Sequence, residues 1–357
     1  MRIDPQRIRD AQSLLARHFG PTRIARAASL SSPGRDVFLK IETGLPTGSF
    51  KVRGALYSLS VNLAKGAMAE VVCASTGNHG AAVAYAAQLL GVPATIFLPA
   101  ASNPVKAARI RALGARLVES GVDLSAAIDS AQDYAKRVRA FFLHDASDPD
   151  VPVGTATIGI EIIDQVPAVD VIYVPMGDTA LIRGVAAAAK DRRASVTIVG
   201  VVAEQAPAYL LSWRRAQGLG LKADSRGQNA DHVVETAMCD TIADGLAIRR
   251  PLAPNVAAIR ELVDAVVAVS EQEMIAAIDL LYAREQVIAE PAGAAATAAF
   301  LTRGESDAGR GFSAFATDSA AARSVRGGWS DPAARTSVVL VTGCNIAPGL
   351  KPTRAAG

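Results

Sequence analysis

The sequence predicts an α/β protein of two lobes, each a parallel sheet with helices on its faces. Three observations carry this reading. Short apolar runs alternate with helix-like segments from about residue 69 to residue 139, and the alternation restarts near residue 150. The 357 residues, 50% of them hydrophobic, are enough for two domains, each with its own core.

In chain order, residues 5–18 read as a helix, with Ile8, Ala11, Leu14 and Leu15 on one face. The turn Ser32-Pro33-Gly34 precedes a strand over 37–41, and a loop rich in Gly, Pro and Thr spans 43–48. Ser49 is then a candidate N-cap for the next helix. Strands over 71–74, 94–98 and 116–118 alternate with helices over 80–90, around Lys106, Arg109 and Arg111, and over 123–139. In the second half, strands over 169–174 and 196–202 flank a helix over 181–189. Helices over 270–281 and 292–301 and a β-branched strand over 337–341 follow. Gly, Ser, Ala, Asp and Arg dominate residues 303–335, the composition of a surface loop or flexible insert.

Several functions are excluded by composition. Thirty-seven Lys and Arg against 34 Asp and Glu leave a net charge of +3, too little and too scattered for nucleic acid or an anionic membrane as partner. No apolar run approaches the ~18 residues of a spanning helix. The start, Met1-Arg2-Ile3-Asp4-Pro5, lacks the apolar stretch of a secretory signal. Cys73, Cys239 and Cys344 are odd in number and in no CxxC spacing, which argues against a disulfide framework or structural zinc. The expectation is a cytoplasmic enzyme.

Two segments carry chemistry on their own. In Lys40-Ile41-Glu42-Thr43-Gly44-Leu45-Pro46-Thr47-Gly48-Ser49-Phe50-Lys51-Val52-Arg53-Gly54-Ala55, Lys51 opens a helix beside Arg53. A partly desolvated lysine next to another cation has a depressed pKa and can form a Schiff base with an aldehyde; the plainer alternative is a solvent-facing lysine in a basic turn. In Ala74-Ser75-Thr76-Gly77-Asn78-His79-Gly80, amides and hydroxyls at a strand-to-helix turn make a cradle for a carboxylate, or serve only as caps.

The first of these stretches resembles the cofactor-lysine motif of the fold type II pyridoxal-phosphate enzymes. That family includes the serine/threonine dehydratases, serine racemase, threonine synthase and cysteine synthase. The resemblance, which runs from about residue 20 to 350, implies the tryptophan synthase β-like fold of two open twisted α/β domains with mainly parallel sheets. It implies a large cofactor-binding domain over 1–62 and 150–357, a small domain over 63–149, and pyridoxal 5'-phosphate between them, bound to Lys51. Val52, in place of the Asp usual in the synthases, is similar to the dehydratase and racemase branch. Ser75, Thr76, Gly77, Asn78 and His79 match the loop that binds the substrate carboxylate, and Asn78 also matches the residue that bonds the cofactor's 3′-oxygen. At Thr76 serine racemases carry serine.

Gly177, Asp178, Thr179, Ala180 and Leu181 occupy the place of the family's glycine-rich phosphate loop, with only Gly177 of its glycines kept. A carboxylate repels a phosphate dianion, so Asp178 is expected to turn away, as a helix cap. Thr342, in Val338-Val339-Leu340-Val341-Thr342-Gly343-Cys344-Asn345, matches the hydroxyl set against the pyridine nitrogen. Because a hydroxyl cannot protonate that ring as an Asp would, the ring is a weaker electron sink, which suits β-elimination. Cys344 is read as a small buried hydrophobe.

Gly154-Thr155-Ala156-Thr157-Ile158, Asp240-Thr241-Ile242-Ala243-Asp244-Gly245 and Glu290-Pro291-Ala292-Gly293 extend the resemblance. Glu290 reads equally as a residue near the cofactor or as N-terminal charge on a helix. Glu204 and the Ala208 carbonyl fall where some members bind a divalent ion, but Leu210 replaces the expected Asp, and no metal is expected.

The resemblance implies a lyase that removes the β-hydroxyl of L-serine, L-threonine or a similar amino acid, giving a 2-oxo acid and ammonia. Lys51 takes the Cα proton and the cofactor phosphate assists the leaving group. The alternatives are an amino-acid racemase, a β-eliminase of a modified hydroxy amino acid, or a pyridoxal-phosphate-binding protein without turnover. A homodimer is the family expectation.

Overall fold

The computed structural model describes residues 3–66, 68–75, 77–100, 104–219, 232–237, 239–303 and 334–350. Most of the insert expected over 303–335 lies outside these residues, as does Thr76. Helix α1 (Pro5–Leu15) leads to an antiparallel pair, β1 (Arg23–Arg26) and β2 (Asp36–Ile41), and then to α2 (Lys51–Ala64). A strict alternation follows: β3 (Val71–Ala74), α3 (Asn78–Leu90), β4 (Ala94–Leu98), α4 (Pro104–Ala112), β5 (Arg116–Glu119), α5 (Leu124–Val138) and β6 (Phe141–Phe142). Next come α6 (Val151–Gln165), β7 (Val171–Pro175), α7 (Ala180–Arg192), β8 (Thr197–Ala203), α8 (Ala208–Ala216) and α9 (Ala253–Leu262). The chain closes with β9 (Ala265–Val269), α10 (Glu271–Glu285), α11 (Pro291–Arg303) and β10 (Thr336–Val341).

Among the described residues these strands form two sheets. One has the order β1-β2-β10-β7-β8-β9 and is parallel except at β1; the other, β5-β4-β3-β6, is wholly parallel. The inner strands are mostly apolar, as sheets covered on both faces require, and β3, β4, β7 and β9 are buried at every position, whereas the edge strands β1 and β5 carry charged residues. Helix α6 escaped the sequence reading because it has no polar face. Its first twelve residues are all buried, so no helical stripe stands out. There, Gly154 lets α6 pack on α2, since a Cβ would come within 2.5 Å of the Arg53 carbonyl oxygen.

Helix α2 joins the two sheets. Val52, Ala55, Leu56 and Leu59 pack into the core beside the four-stranded sheet. Arg53 points the other way and is only 1% exposed. Its Nε donates to Glu42 Oε2 at 2.8 Å, and Nη1 and Nη2 donate to the two Glu161 oxygens at 2.6 and 2.9 Å. Lys40, fully buried, adds a 2.6 Å bond to Glu161. Ser49 does not cap α2: the N-cap residue is Phe50, whose amide donates to the Thr342 carbonyl at 3.0 Å, while Ser49 bridges to Gly343. The chain just before Lys51 is thus sewn to the end of β10.

Loss of Arg53 leaves Glu42 buried without its cation and Glu161 with Lys40 alone. Arg53→Met is expected to destabilise the fold by about 3–5 kcal/mol, read as a lowered urea midpoint, because Glu42 and Glu161 stay buried.

Candidate active site

Ligands of parallel α/β sheets bind beyond the carboxyl ends of the strands. Here the ends of β3, β7 and β10 face one cleft, a cavity of about 500 Å³ with a small recess of about 40 Å³ beside it. Lys51, Asn78, Gly177, Asp178, Thr179, Ala180, Leu181 and Thr342 all line the recess. Ser75, Gly77, Asn78 and His79 line the larger cavity, and Lys51 and Asp178 border both. The structure therefore gathers the residues singled out from four distant segments, Thr76 lying outside its described part.

The recess has the features of an anion site. Thr179 takes a left-handed backbone (φ 68°) just before α7, and no group among the described residues bonds its buried hydroxyl. The first amides of α7 also point there, where an anion is favoured. Gly177 is needed by space, since a Cβ would collide with the Gly245 carbonyl oxygen. Thr155 donates to the Ala180 carbonyl at 2.8 Å and so fixes the start of α7. Thr342, 4% exposed, follows β10 and also lines the recess. These groups fit a phosphorylated ring whose aldehyde meets Lys51.

Asn78 is held from both sides. Its Nδ2 donates to Glu290 Oε1 at 2.5 Å, and its Oδ1 accepts from Asn345 Nδ2 at 2.5 Å, leaving one further N–H for the recess. Glu290, which precedes α11, therefore has a partner across the cleft and is more than helix-terminal charge. Cys344 is partly exposed, with its thiol pushed up by burial, and its Sγ lies 3.5 Å from the Gly48 carbonyl oxygen.

Two expectations about charge are corrected. Arg53 does not depress Lys51, because its guanidinium is turned away to Glu42 and Glu161. Burial pushes the Lys51 ammonium down, but Asp145, then Asp178 and Glu290, outweigh it and raise the pKa. Asp178 does not turn away either, since it borders both cavities and makes no cap bond to α7. Its carboxyl is pushed up to about 6, by burial first and then by Asp145.

Asp145 was missed altogether by the sequence reading. It lies between β6 and α6, outside the motifs considered, and its Oδ2 is ion-paired with Lys51 Nζ. Burial alone would raise its carboxyl, yet Lys51, His79 and His144 hold it well below the usual carboxylate range. His79 stands beside the pair, its Nε2 3.2 Å from the Leu143 carbonyl oxygen and its Nδ1 3.9 Å from Asp145, and burial pushes its pKa down.

Fold and cleft together define a fold type II pyridoxal-phosphate enzyme. The chain belongs to the pyridoxal-phosphate dependent enzyme family, whose match spans residues 15–311. It is 35% identical over 297 residues to an L-threonine ammonia-lyase of Thermotoga maritima, covering 83% of this chain and 70% of that one. It is 32% identical over 305 residues to a serine racemase of Oryza sativa, covering 84% of each. The structure of maize serine racemase superposes with a TM-score of 0.81 at 27% identity, covering 98% of this chain and 95% of that one. Pyridoxal 5'-phosphate is the cofactor. Among the described residues no helix is long and apolar enough to cross a membrane, and no group of three or more His, Cys, Asp or Glu is placed to hold a metal ion.

Asp178 gives the cofactor-free protein a pH signature. The folded chain keeps this proton up to about pH 6, whereas an ordinary Asp releases it near 3.8. The folded state therefore binds the extra proton between these values, and its stability falls as pH rises across them. Asp178→Asn removes that slope, so above pH 6 the variant gains about 2–3 kcal/mol on the wild type compared with pH 4, read from urea midpoints.

Proposed function

We propose that this chain is a serine/threonine dehydratase, a lyase of the ammonia-lyase class that converts L-threonine or L-serine to a 2-oxo acid and ammonia. The observation that carries the proposal is the place of Lys51 Nζ, which borders both the anion recess at Thr179 and the cavity lined by Ser75, Gly77, Asn78 and His79. The threonine ammonia-lyase relatives support the same reaction.

In this reading Lys51, Asn78, Thr342 and the Gly177–Leu181 turn hold the cofactor, which supplies an electron sink for negative charge at Cα. The amides at the start of α3, with Ser75, take the substrate carboxylate and turn the Cα–H bond toward Lys51. Lys51 Nζ takes the Cα proton, the Cβ–O bond breaks, and Cα and Cβ become doubly bonded as hydroxyl departs. Hydrolysis then gives the 2-oxo acid and ammonia. Residues 1–62 and 150–357 form the large domain and 63–149 the small one, the active unit is a homodimer, and the compartment is the cytosol.

Cofactor-loaded protein offered L-serine or L-threonine is expected to release 2-oxo acid, and Lys51→Ala to release none. Absence of release from the wild type overturns the dehydratase reading. A second reading, racemisation, is favoured by the rice and maize serine racemase relatives; enantiomer analysis of recovered L-serine separates the two. Thr179→Ala removes one hydroxyl donor from the recess and is expected to weaken pyridoxal phosphate binding roughly five- to tenfold, measured by absorbance titration.

A further inference from the structure

The loop between β6 and α6 puts a carboxylate against the nitrogen on which the proposed chemistry turns. Among the described residues, Lys51 is the hydrogen-bond donor to Asp145 Oδ2. Both side chains are largely enclosed, 18% and 12% exposed. His79 stands beside the pair, its Nε2 3.2 Å from the Leu143 carbonyl oxygen and its pKa pushed down by burial. The other charged and titratable groups facing the pair are His144 from the same loop, Asp178 before α7, Arg183 on α7 and Glu290 before α11. Arg183 Nη2 is spent on the Ala146 carbonyl at 3.0 Å.

We propose that Asp145 is a further catalytic residue, the carboxylate that holds the proton Lys51 takes from Cα and sets when that lysine is charged. The proposal rests on the reading of Lys51 as the cofactor lysine and Cα base. As the Cα–H bond breaks, its electron pair stays with carbon and its proton goes to Lys51 Nζ. The neutral amine becomes an ammonium, which donates to Asp145 Oδ2, and the pair as a whole gains one proton. An ammonium against a carboxylate attract more strongly in an enclosed cleft than in water, so this ion pair lowers the energy of the proton-transferred state. The same attraction opposes the opposite event. To capture the cofactor's aldehyde Lys51 must be neutral, and Asp145 makes that proton harder to lose.

This gives the role a signature that loss of structure does not share, because removal of the carboxylate acts with opposite signs on two steps. Asp145→Asn removes the largest influence that raises the Lys51 pKa and so lowers it relative to wild type, with Asp178 and Glu290 still acting against burial. Cofactor-free Asp145→Asn is then expected to capture pyridoxal phosphate roughly tenfold faster than wild type near pH 8, read by the visible absorbance of the protein-bound cofactor. The acid limb of the capture profile moves to lower pH. Turnover, and exchange of the Cα hydrogen of bound amino acid into deuterated water, are expected to fall at least roughly tenfold. Asp145→Glu, which restores a carboxylate, returns both toward wild type.

An unchanged capture profile, or capture and turnover falling together without rescue by Glu, overturns the proposal. Should Asp145→Asn fail to fold, the wild-type profile decides: a capture limb above the ordinary lysine value of 10.5 supports the pairing, and one well below it refutes it. If the profiles shift as expected but wild type releases no 2-oxo acid, the dehydratase reading fails while the role of Asp145 stands.

Discussion

The site depends on one buried cluster of charges. Arg53, held by Glu42 and Glu161, ties the first turn of α2 to the end of β2 and to α6. A fully buried cluster of this kind contributes little net stability, because desolvation offsets most of its attraction. What it does here is choose an orientation. Side chains two positions apart point to nearly opposite sides of a helix. With Arg53 locked into the cluster, Lys51 is turned into the cleft, and rotation of α2 would separate the buried Arg53 from Glu42 and Glu161.

The backbone before Lys51 is constrained as tightly. Phe50 and Cys344 exchange main-chain bonds with Thr342 and Gly48, so the lysine and the hydroxyl of Thr342 are set against one another by sheet-like pairing. Thr155 extends the chain of constraint to α7 through the Ala180 carbonyl. The lysine, the anion recess and the end of β10 thus belong to one rigid seat built from β2, α2, α6, α7 and β10. The turn between β3 and α3, on the other sheet, is joined to this seat across the cleft by Asn78, Glu290 and Asn345.

The parts legible in the sequence were those whose chemistry is local. Apolar strand runs announced the sheets, the Lys51 and Ser75–His79 segments announced themselves by residue type, and Gly177–Leu181 was found by its place in the family resemblance. Boundaries and charges were harder to read. Ser49 looked like a cap because its type favours caps, yet the amide of Phe50 already had Thr342 as its partner, from nearly three hundred residues away. The pKa direction of Lys51 was inverted for the same reason: Arg53 is near in sequence but faces the other way, while Asp145 is remote in sequence and in contact. Asp145 carried one usable signal, a His-Asp pair just past an apolar strand. Only the fold puts that pair opposite the lysine.

These electrostatics bear on which reaction the cleft favours. In the proposed reading Thr342 would meet the ring nitrogen, and a ring that accepts no proton from an acid would be a weaker sink for charge at Cα. Proton abstraction from Cα then has to be helped from the other side, by a base whose charged form is stabilised. Asp145, Asp178 and Glu290 all act on Lys51 in that sense, and all three raise its proton affinity against the effect of burial. A strong base and a weak sink favour a step in which the Cβ–O bond breaks as the proton leaves, so that charge at Cα never fully develops. Racemisation needs that charge to persist until a proton returns to the other face. The balance of groups in the cleft therefore leans toward elimination, in agreement with the threonine ammonia-lyase relatives.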